Sequence, residues 1–122
     1  MKNTINWFEI PVNDMPRATD FYENMLGVKL KQETMDGIQM ALFPFDENSV
    51  SGCLVKADFM QPSDQGSLVY LNVEGFMDEA MQRAQSQGSE IVFPKTAIGE
   101  HGFIAHLSDS EGNKIALHSM SA

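Results

Sequence analysis

The sequence has little cysteine, little positive charge and no long apolar run, and each shortage argues against a class of protein. Cys53 is the only cysteine, so no disulfide can form within the chain, which is typical of the cytoplasm. Eight Lys and Arg residues stand against seventeen Asp and Glu residues, giving a net charge of −9. An acidic chain without clustered basic residues does not favour nucleic acid or an anionic membrane surface as a partner.

Membrane and export signals are also missing from the sequence. No apolar run approaches the length of a membrane span, and the first ten residues are too polar for a signal peptide. We therefore expect a cytoplasmic protein. The length of 122 residues, with 43% hydrophobic and 20% charged residues, predicts one domain spanning 1–122. A chain of this length can bury about two-thirds of the surface that its unfolded form exposes.

The first half of the chain reads as a strand, a helix and three further strands. Segment 5–12 is typical of a strand, Asp14 suits the N-cap of a helix, and Gly27 suits its C-cap. The apolar residues between the caps follow helical spacing: Ala18, Phe21, Tyr22 and Met25. Three more strands are predicted, separated by turn residues: 28–33, 38–43 and 52–57.

The second half repeats this order, so the sequence predicts an α+β fold of two βαβββ modules. A strand at 68–73 precedes a helix that Gly88 closes, and the apolar face of this helix has the same spacing: Met77, Ala80, Met81 and Ala84. Three strands follow: 90–94, 103–108 and 114–119. The polar segment 58–66 reads as a linker. Module one is therefore about 1–57 and module two about 67–122.

Alternation along the strands predicts one apolar face and one mixed face for each sheet. In module one, Phe8 and Ile10 alternate with Trp7 and Glu9. In module two, the mixed face carries Tyr70, Asn72, Ile104, His106 and His118. The helices can cover the apolar faces, whereas a mixed face suits either a ligand groove or a solvated outer surface. Trp7 and Tyr70 favour the groove, since large aromatic side chains are costly to leave in water.

Two motifs within these modules resemble the vicinal oxygen chelate superfamily, which includes glyoxalase I, bleomycin and fosfomycin resistance proteins and extradiol dioxygenases. The first is D-x-x-R-A-x-x-F-Y-x-x-x-L-G at 14–27, and the second is the turn D-x-x-G-N at 109–113. Together with F-E-I-P-V near the start and E-G-N-K-I-A-L-H-S near the end, they look most like uncharacterised glyoxalase-related members. The resemblance covers essentially the whole chain. It implies that the modules curl into a half-open eight-stranded barrel, usually in a homodimer with a cavity in each barrel.

The same resemblance implies where a metal would bind and indicates that none does. Metal-dependent members carry ligands at four positions, which become Trp7, a residue within 51–55, Leu68 and Ala116 in this sequence. A divalent metal needs three or four protein donors that converge on one point. Cys53 is the only possible donor at these positions, and we expect it to be a small core residue. We therefore predict neither a metal nor any other cofactor.

Other polar residues on the mixed face are candidates for chemistry. Glu9 and His118 lie two residues beyond the lost ligand positions, and the resemblance places His106 where fosfomycin resistance proteins carry a substrate-contacting tyrosine. A Glu and a His in one groove can act as a base and its partner, because His titrates near neutrality. Alternatively, they form a hydrogen-bonded pair that only satisfies two buried polar groups, or they hold a displaced metal together with His106. Four residues are expected to line the ligand: Trp7, Tyr70, Asn72 and Ile104.

These observations leave three functions open. The first is a metal-free groove that binds a small organic molecule, as resistance proteins do. The second is a metal-independent, glyoxalase-related lyase or isomerase that uses Glu9 with His118 or His106. The third is a dimeric module whose groove receives a peptide or partner protein. Classical glyoxalase I activity is not expected, because that proton transfer takes place at a metal-bound oxygen with a metal-ligating carboxylate as the base.

Overall fold

The computed structural model describes residues 3–122 and confirms the repeated βαβββ order. Module one contains β1 (Trp7–Pro11), α1 (Met15–Leu26), β2 (Lys31–Met35), β3 (Ile38–Leu42) and β4 (Ser51–Lys56). Module two contains β5 (Tyr70–Asn72), α2 (Met77–Ser86), β6 (Ile91–Ala97), β7 (Phe103–Ser108) and β8 (Lys114–Ser119), with a 3₁₀ turn at Gly99–His101. Among residues 3–122, no helix has the length and apolar character that a membrane span requires.

The eight strands form two open sheets of four strands each, with the same order in both modules. Sheet one has the order β1-β4-β3-β2, and sheet two has the order β5-β8-β7-β6. The pairs β1–β4 and β5–β8, each at one edge of its sheet, are parallel, and the other neighbours are antiparallel. The predicted α+β fold is therefore confirmed. The strands curl as two separate sheets and do not close into a barrel.

The caps of α1 are those that the sequence predicts. The Asp14 carboxylate accepts a hydrogen bond from the backbone N–H of Arg17 at 3.0 Å, which satisfies one free donor of the first turn. Gly27 adopts φ 68° and donates its N–H to the carbonyl of Glu23 at 2.9 Å. The predicted apolar face of this helix is buried, so the spacing identified the packed side correctly.

Several strand boundaries differ from the predictions, including that of β1, which begins at Trp7 instead of residue 5. Strand β2 begins at Lys31 instead of residue 28, because the side chain of Glu23 accepts the backbone N–H of Leu30 and ties this stretch to the helix end. Strand β5 is assigned only to Tyr70–Asn72, although backbone bonds at 69 and 73 continue the pairing with β8. Strand β6 continues past Pro94 to Ala97 with two irregularities in its register.

Both helices pack on the apolar faces of the sheets and contribute to one hydrophobic core. Among the buried strand residues are Ile10, Leu71 and Leu117, which alternation predicted to lie on the apolar faces, but Ala116 of the mixed face is buried as well. Tyr22 of α1 is fully buried and donates its hydroxyl to the Asp109 carboxylate at 2.6 Å. Burial, together with the charge of Asp109, raises the pKa of Tyr22 well above its ordinary value. A helix of module one is thereby fixed to a turn of module two.

The turn between β7 and β8 joins the two modules through Glu111. Its buried carboxylate accepts the backbone N–H groups of Asn13 and Asp14 at 2.9 and 2.8 Å, and both guanidinium contacts of Arg17 are within 3.0 Å. Burial raises the pKa of Glu111, but the hydrogen bonds from Arg17 and the two amides outweigh it and lower the pKa to about 2. This turn therefore connects β8 with the start of α1 through charged, specific bonds.

Candidate functional site

The mixed face of sheet two brings together five of the residues singled out in the sequence. Along one row of the sheet, Tyr70 lies beside Ala116, which lies beside His106. Along the next row, Asn72 lies beside His118, which lies beside Ile104. Because alternate residues of a strand point to the same side, these rows share one face.

We call Tyr70, Phe93 and His106 the aromatic cluster. The Tyr70 hydroxyl lies 3.2 Å from Nε2 of His106, and the two rings meet edge to face with centroids 5.9 Å apart. The Phe93 ring also packs against His106, with centroids 5.3 Å apart and the ring planes tilted by 44°. Tyr70 and Phe93 remain 47% and 41% exposed, while His106 is partly buried. The cluster thus offers aromatic surface and one hydroxyl–imidazole pair to a ligand.

His118 is held by the 3₁₀ turn that precedes β7. Its Nε2 lies 2.7 Å from the backbone carbonyl of His101, and a carbonyl oxygen can only accept a hydrogen bond. Nε2 therefore carries the proton, and in the neutral ring Nδ1 keeps its lone pair. The His101 side chain itself points away into solvent, 3.8 Å from Glu100. Such an arrangement fixes the orientation of His118 and leaves one nitrogen able to accept a proton.

Glu9 makes its contacts elsewhere. It lies beside Cys53 in sheet one, and it lines a cavity of about 240 Å³ together with Lys114 from the start of β8. Within residues 3–122, Glu9 and His118 share no hydrogen bond or ion pair, and His118 bonds to the backbone of His101 instead. The structure therefore does not join Glu9 and His118 as a hydrogen-bonded pair.

The mixed faces are more open than the sequence suggested. Trp7 lies edge to face against Phe45, with centroids 6.2 Å apart, and stays 39% exposed. Together with the exposure of Tyr70, this shows an open surface in the single chain, which does not by itself form the predicted sheltered groove. Exposed aromatic rings cost free energy in water, and a molecule that covers these rings would recover part of it.

Phe93 is the site residue that the sequence did not single out. The predicted strand 90–94 includes Phe93, but the register of β6 against β7 shifts on both sides of this residue. These shifts break the simple alternation from which faces were assigned. Pro94 was the only available signal, since a proline within a strand often accompanies an irregular edge.

A family model for the Glyoxalase/Bleomycin resistance protein/Dioxygenase superfamily matches residues 4–117. The chain belongs to this superfamily. No protein with a curated description matches it in sequence.

Solved structures of the superfamily share its fold at low identity. TnmS3, an antibiotic-binding protein from Streptomyces sp. CB03234, is 23% identical over 96% of this chain and 95% of its own, with a TM-score of 0.64. The trypanothione-dependent glyoxalase I of Leishmania major is 18% identical over 98% and 88%, with a TM-score of 0.72. FosX, a fosfomycin resistance protein from Listeria monocytogenes, is 17% identical over 100% and 93%, with a TM-score of 0.67; its E126Q mutant was solved with Mn(II). At these identities the likeness shows the fold alone.

The residues at the metal-ligand positions of the superfamily do not fit a metal here. Trp7, Leu68 and Ala116 offer no suitable donor, and Ala116 is fully buried. Cys53 is also fully buried, as expected of a core residue. Burial and the negative charge of Glu9 raise the pKa of its thiol to about 11, although a hydrogen bond with Trp7 lowers it, so the metal-binding thiolate is disfavoured. In the described part of the chain, no group of three His, Cys, Asp or Glu residues is arranged to hold a metal. Glu9, His106 and His118 therefore do not form the displaced metal site considered from the sequence.

Proposed function

We propose that this chain binds a small organic molecule with a planar aromatic part, on the mixed face of sheet two and without a metal. The observation that carries the proposal is the aromatic cluster, in which half-exposed Tyr70 and Phe93 flank the imidazole of His106. Aromatic rings stack on such surfaces, and the Tyr70–His106 pair can donate to or accept from a polar group of the ligand. Asn72, Ile104 and Trp7 lie on mixed faces that could extend the contact.

The names of the structural relatives agree with this class of function. TnmS3 is described as an antibiotic-binding protein, and FosX as a fosfomycin resistance protein. Both use the fold that this chain has. We therefore infer a binder of the resistance-protein type, with the ligand held by aromatic surface instead of by a metal. Residence in the cytoplasm is part of the same proposal.

Replacing one ring of the cluster should weaken ligand binding, and the chain offers a matched control. Phe93→Ala removes a ring that contacts His106, whereas Phe59→Ala removes a ring that is 76% exposed on the segment between β4 and β5. With the tightest binder from a panel of neutral and cationic planar aromatic compounds, we expect Phe93→Ala to raise Kd about tenfold. Phe59→Ala should leave Kd unchanged. Isothermal titration calorimetry measures both.

Two results would contradict this proposal. One is equal weakening in the Phe93→Ala and Phe59→Ala variants, which would indicate adsorption to any exposed ring. The other is a panel in which no compound binds saturably. His106→Ala provides an independent check, because it removes the centre of the cluster and should also weaken binding.

A second candidate, a metal-independent lyase or isomerase, is favoured by the contact of His118. Its Nε2 donates to the carbonyl of His101, so Nδ1 is the nitrogen that could take a proton from a bound substrate. In the same titrations, product formation that disappears in His118→Ala while Kd is retained would select this candidate. Binding without turnover of any compound, in the wild type and in the variants Glu9→Gln and His118→Ala, would select the binder.

We further propose that the chain forms a homodimer, which would cover part of the open mixed faces. Trp7 lies on the mixed face of sheet one, outside the aromatic cluster, and is exposed in the single chain together with its neighbour Phe45. Covering them would remove aromatic surface from water. Sedimentation equilibrium should give the mass of two chains, and a monomer at all concentrations would contradict this part of the proposal. A partner peptide that binds the aromatic cluster, the third function left open by the sequence, would instead be displaced by the planar compounds.

A further inference from the structure

A cavity lined by both charged and apolar residues lies between the two modules, outside the aromatic cluster. Its walls come from β1, from the segment that connects β4 to β5, and from the start of β8. We call it the inter-module cavity and define it by Glu9, Gln61, Gln65 and Lys114, with Val69 as an apolar wall. No residue of the aromatic cluster lines it, and neither does His118. A ligand here would thus occupy a site separate from the one proposed above.

The frame of the inter-module cavity is fixed by the side chain of Asn113. Its amide nitrogen donates to the carbonyl of Pro11 at 2.8 Å and to Asp109 at 2.8 Å. Its amide oxygen accepts the backbone N–H of Ser63 at 2.9 Å. One buried amide therefore holds β1, the connecting segment and the turn before β8 together. The walls of the cavity are preorganised, which reduces the entropic cost of binding.

The polar side chains that line the cavity have no partner within the described residues. Across 3–122, the Glu9 carboxylate and the Lys114 ammonium make no ion pair within 4.0 Å, with each other or with another residue. The side-chain amides of Gln61 and Gln65 likewise form no hydrogen bond in this part of the chain. Two opposite charges and two amides thus share one cavity in which only water or a ligand can bond to them.

We propose that the inter-module cavity binds a small zwitterion, with its ammonium group at Glu9 and its carboxylate at Lys114. A charge on each wall matches a molecule that carries both charges, and charge-assisted hydrogen bonds are the stronger ones. The net charge of −9 disfavours a simple anion, whereas a zwitterion has no net charge to repel. The volume of about 240 Å³ equals that of about eight water molecules at ~30 Å³ each, which is room for an amino acid.

The test uses amino acids of increasing chain length as probes: glycine, β-alanine, 4-aminobutanoate and 6-aminohexanoate. Each is titrated into the ¹⁵N-labelled protein, and the backbone amides of Ser63, Gln65 and Lys114 are followed by NMR. We expect saturable shifts with at least one probe, at concentrations up to about 50 mM. Butanoate and butylamine, which each carry one of the two charges, should bind at least about tenfold more weakly than 4-aminobutanoate if that is the probe that binds.

Variants assign the binding to the two charges. Glu9→Gln and Lys114→Met should each raise Kd about tenfold, while Glu9→Asp and Lys114→Arg should retain most of the binding. Glu33→Gln and Lys31→Met are the matched controls, because these two residues form an exposed ion pair on the outer strand β2, 3.5 Å apart. They should leave Kd unchanged.

Three outcomes would overturn the inference: no saturable shift with any probe, equal binding of butylamine and 4-aminobutanoate, or unchanged Kd in both Glu9→Gln and Lys114→Met. A dispersed NMR spectrum shows that a variant is folded. If Glu9→Gln or Lys114→Met does not fold, the conservative variants Glu9→Asp and Lys114→Arg still test the site. Zwitterion binding is independent of the aromatic cluster, since the planar compounds are expected to bind the four Glu9 and Lys114 variants with the Kd of the wild type.

Discussion

Replacing Glu111 by alanine is expected to lower the free energy of unfolding by about 3 kcal/mol. The buried carboxylate accepts the backbone N–H groups of Asn13 and Asp14 as well as the guanidinium of Arg17. Its removal leaves the two amides without their acceptor at the start of α1. Because the Arg17 side chain is 54% exposed, water can replace its share, and most of the loss comes from the amides. Urea unfolding of the purified protein measures the change.

Glu47→Ala is the matched control for this substitution. Glu47 lies exposed in the turn between β3 and β4, which is the counterpart in module one of the turn that carries Glu111. We expect a change of less than about 0.5 kcal/mol there. Equal effects of the two substitutions would contradict the view that Glu111 joins the modules.

The pH dependence of stability provides a second reading of the same interaction. The pKa of Glu111 is about 2 in the folded protein, against an ordinary value of 4.5. A lowered folded-state pKa means that the stabilisation is complete above the ordinary value and is lost as the pH falls towards 2. As the pH falls from 4.5 to about 2, the Glu111→Gln variant should therefore lose less free energy of unfolding than the wild type. Glu74 also has a pKa of about 2, held down mainly by the Ser121 side chain and the Met120 amide, and its contribution remains in both proteins.

The second large effect is expected for Gly102→Ala. Gly102 has φ 94°, and a Cβ atom there would lie 2.3 Å from the carbonyl oxygen of Ser119 and 2.8 Å from Cα of Met120. Backbone atoms at the end of β8 and just beyond it cannot yield as a flexible side chain could, so the 3₁₀ turn must move away from them. We expect a loss of about 3 kcal/mol in the free energy of unfolding and a broken bond between His118 and the His101 carbonyl.

Gly99→Ala separates the close approach from the effect of backbone conformation. Gly99 lies in the same turn with φ 67°, and a Cβ atom there would have no neighbour within 4 Å. It should cost about 1 kcal/mol for the left-handed conformation alone and leave His118 in place. The ¹⁵N shifts of the His118 ring report its tautomer: the Nε2-protonated form should persist in Gly99→Ala and be lost in Gly102→Ala. Identical shifts in both variants would show that the turn does not hold His118.

Much of the fold could be predicted because its signals are local. Asp14 and Gly27 cap α1 through contacts with residues in the same helix, and strands β7 and β8 have the predicted bounds because Asp109 and Asn113 define the turn between them. The boundaries that failed depend on contacts that are distant or irregular. The start of β2 is set by a side chain of the preceding helix, and β6 passes through Pro94 with shifts in register.

The candidate site was predictable only where alternation holds. Tyr70, His106 and His118 share the predicted face because β5, β7 and β8 pair in regular register. Phe93 joined them unforeseen, since its strand is irregular. The place of Glu9 depends on how the modules meet, and that is set by Asn113 and the connecting segment, which strand alternation does not describe. Spacing along the chain therefore identified faces but not partners across the modules.

The central claim is that the aromatic cluster binds a small organic molecule, and an NMR titration with ¹³C-labelled aromatic and histidine rings tests it most directly. With the tightest planar compound, we predict that the ring resonances of Tyr70, Phe93 and His106 shift saturably with one Kd, while the exposed ring of Phe59 does not. Saturable shifts that leave the His106 ring unchanged would contradict the claim.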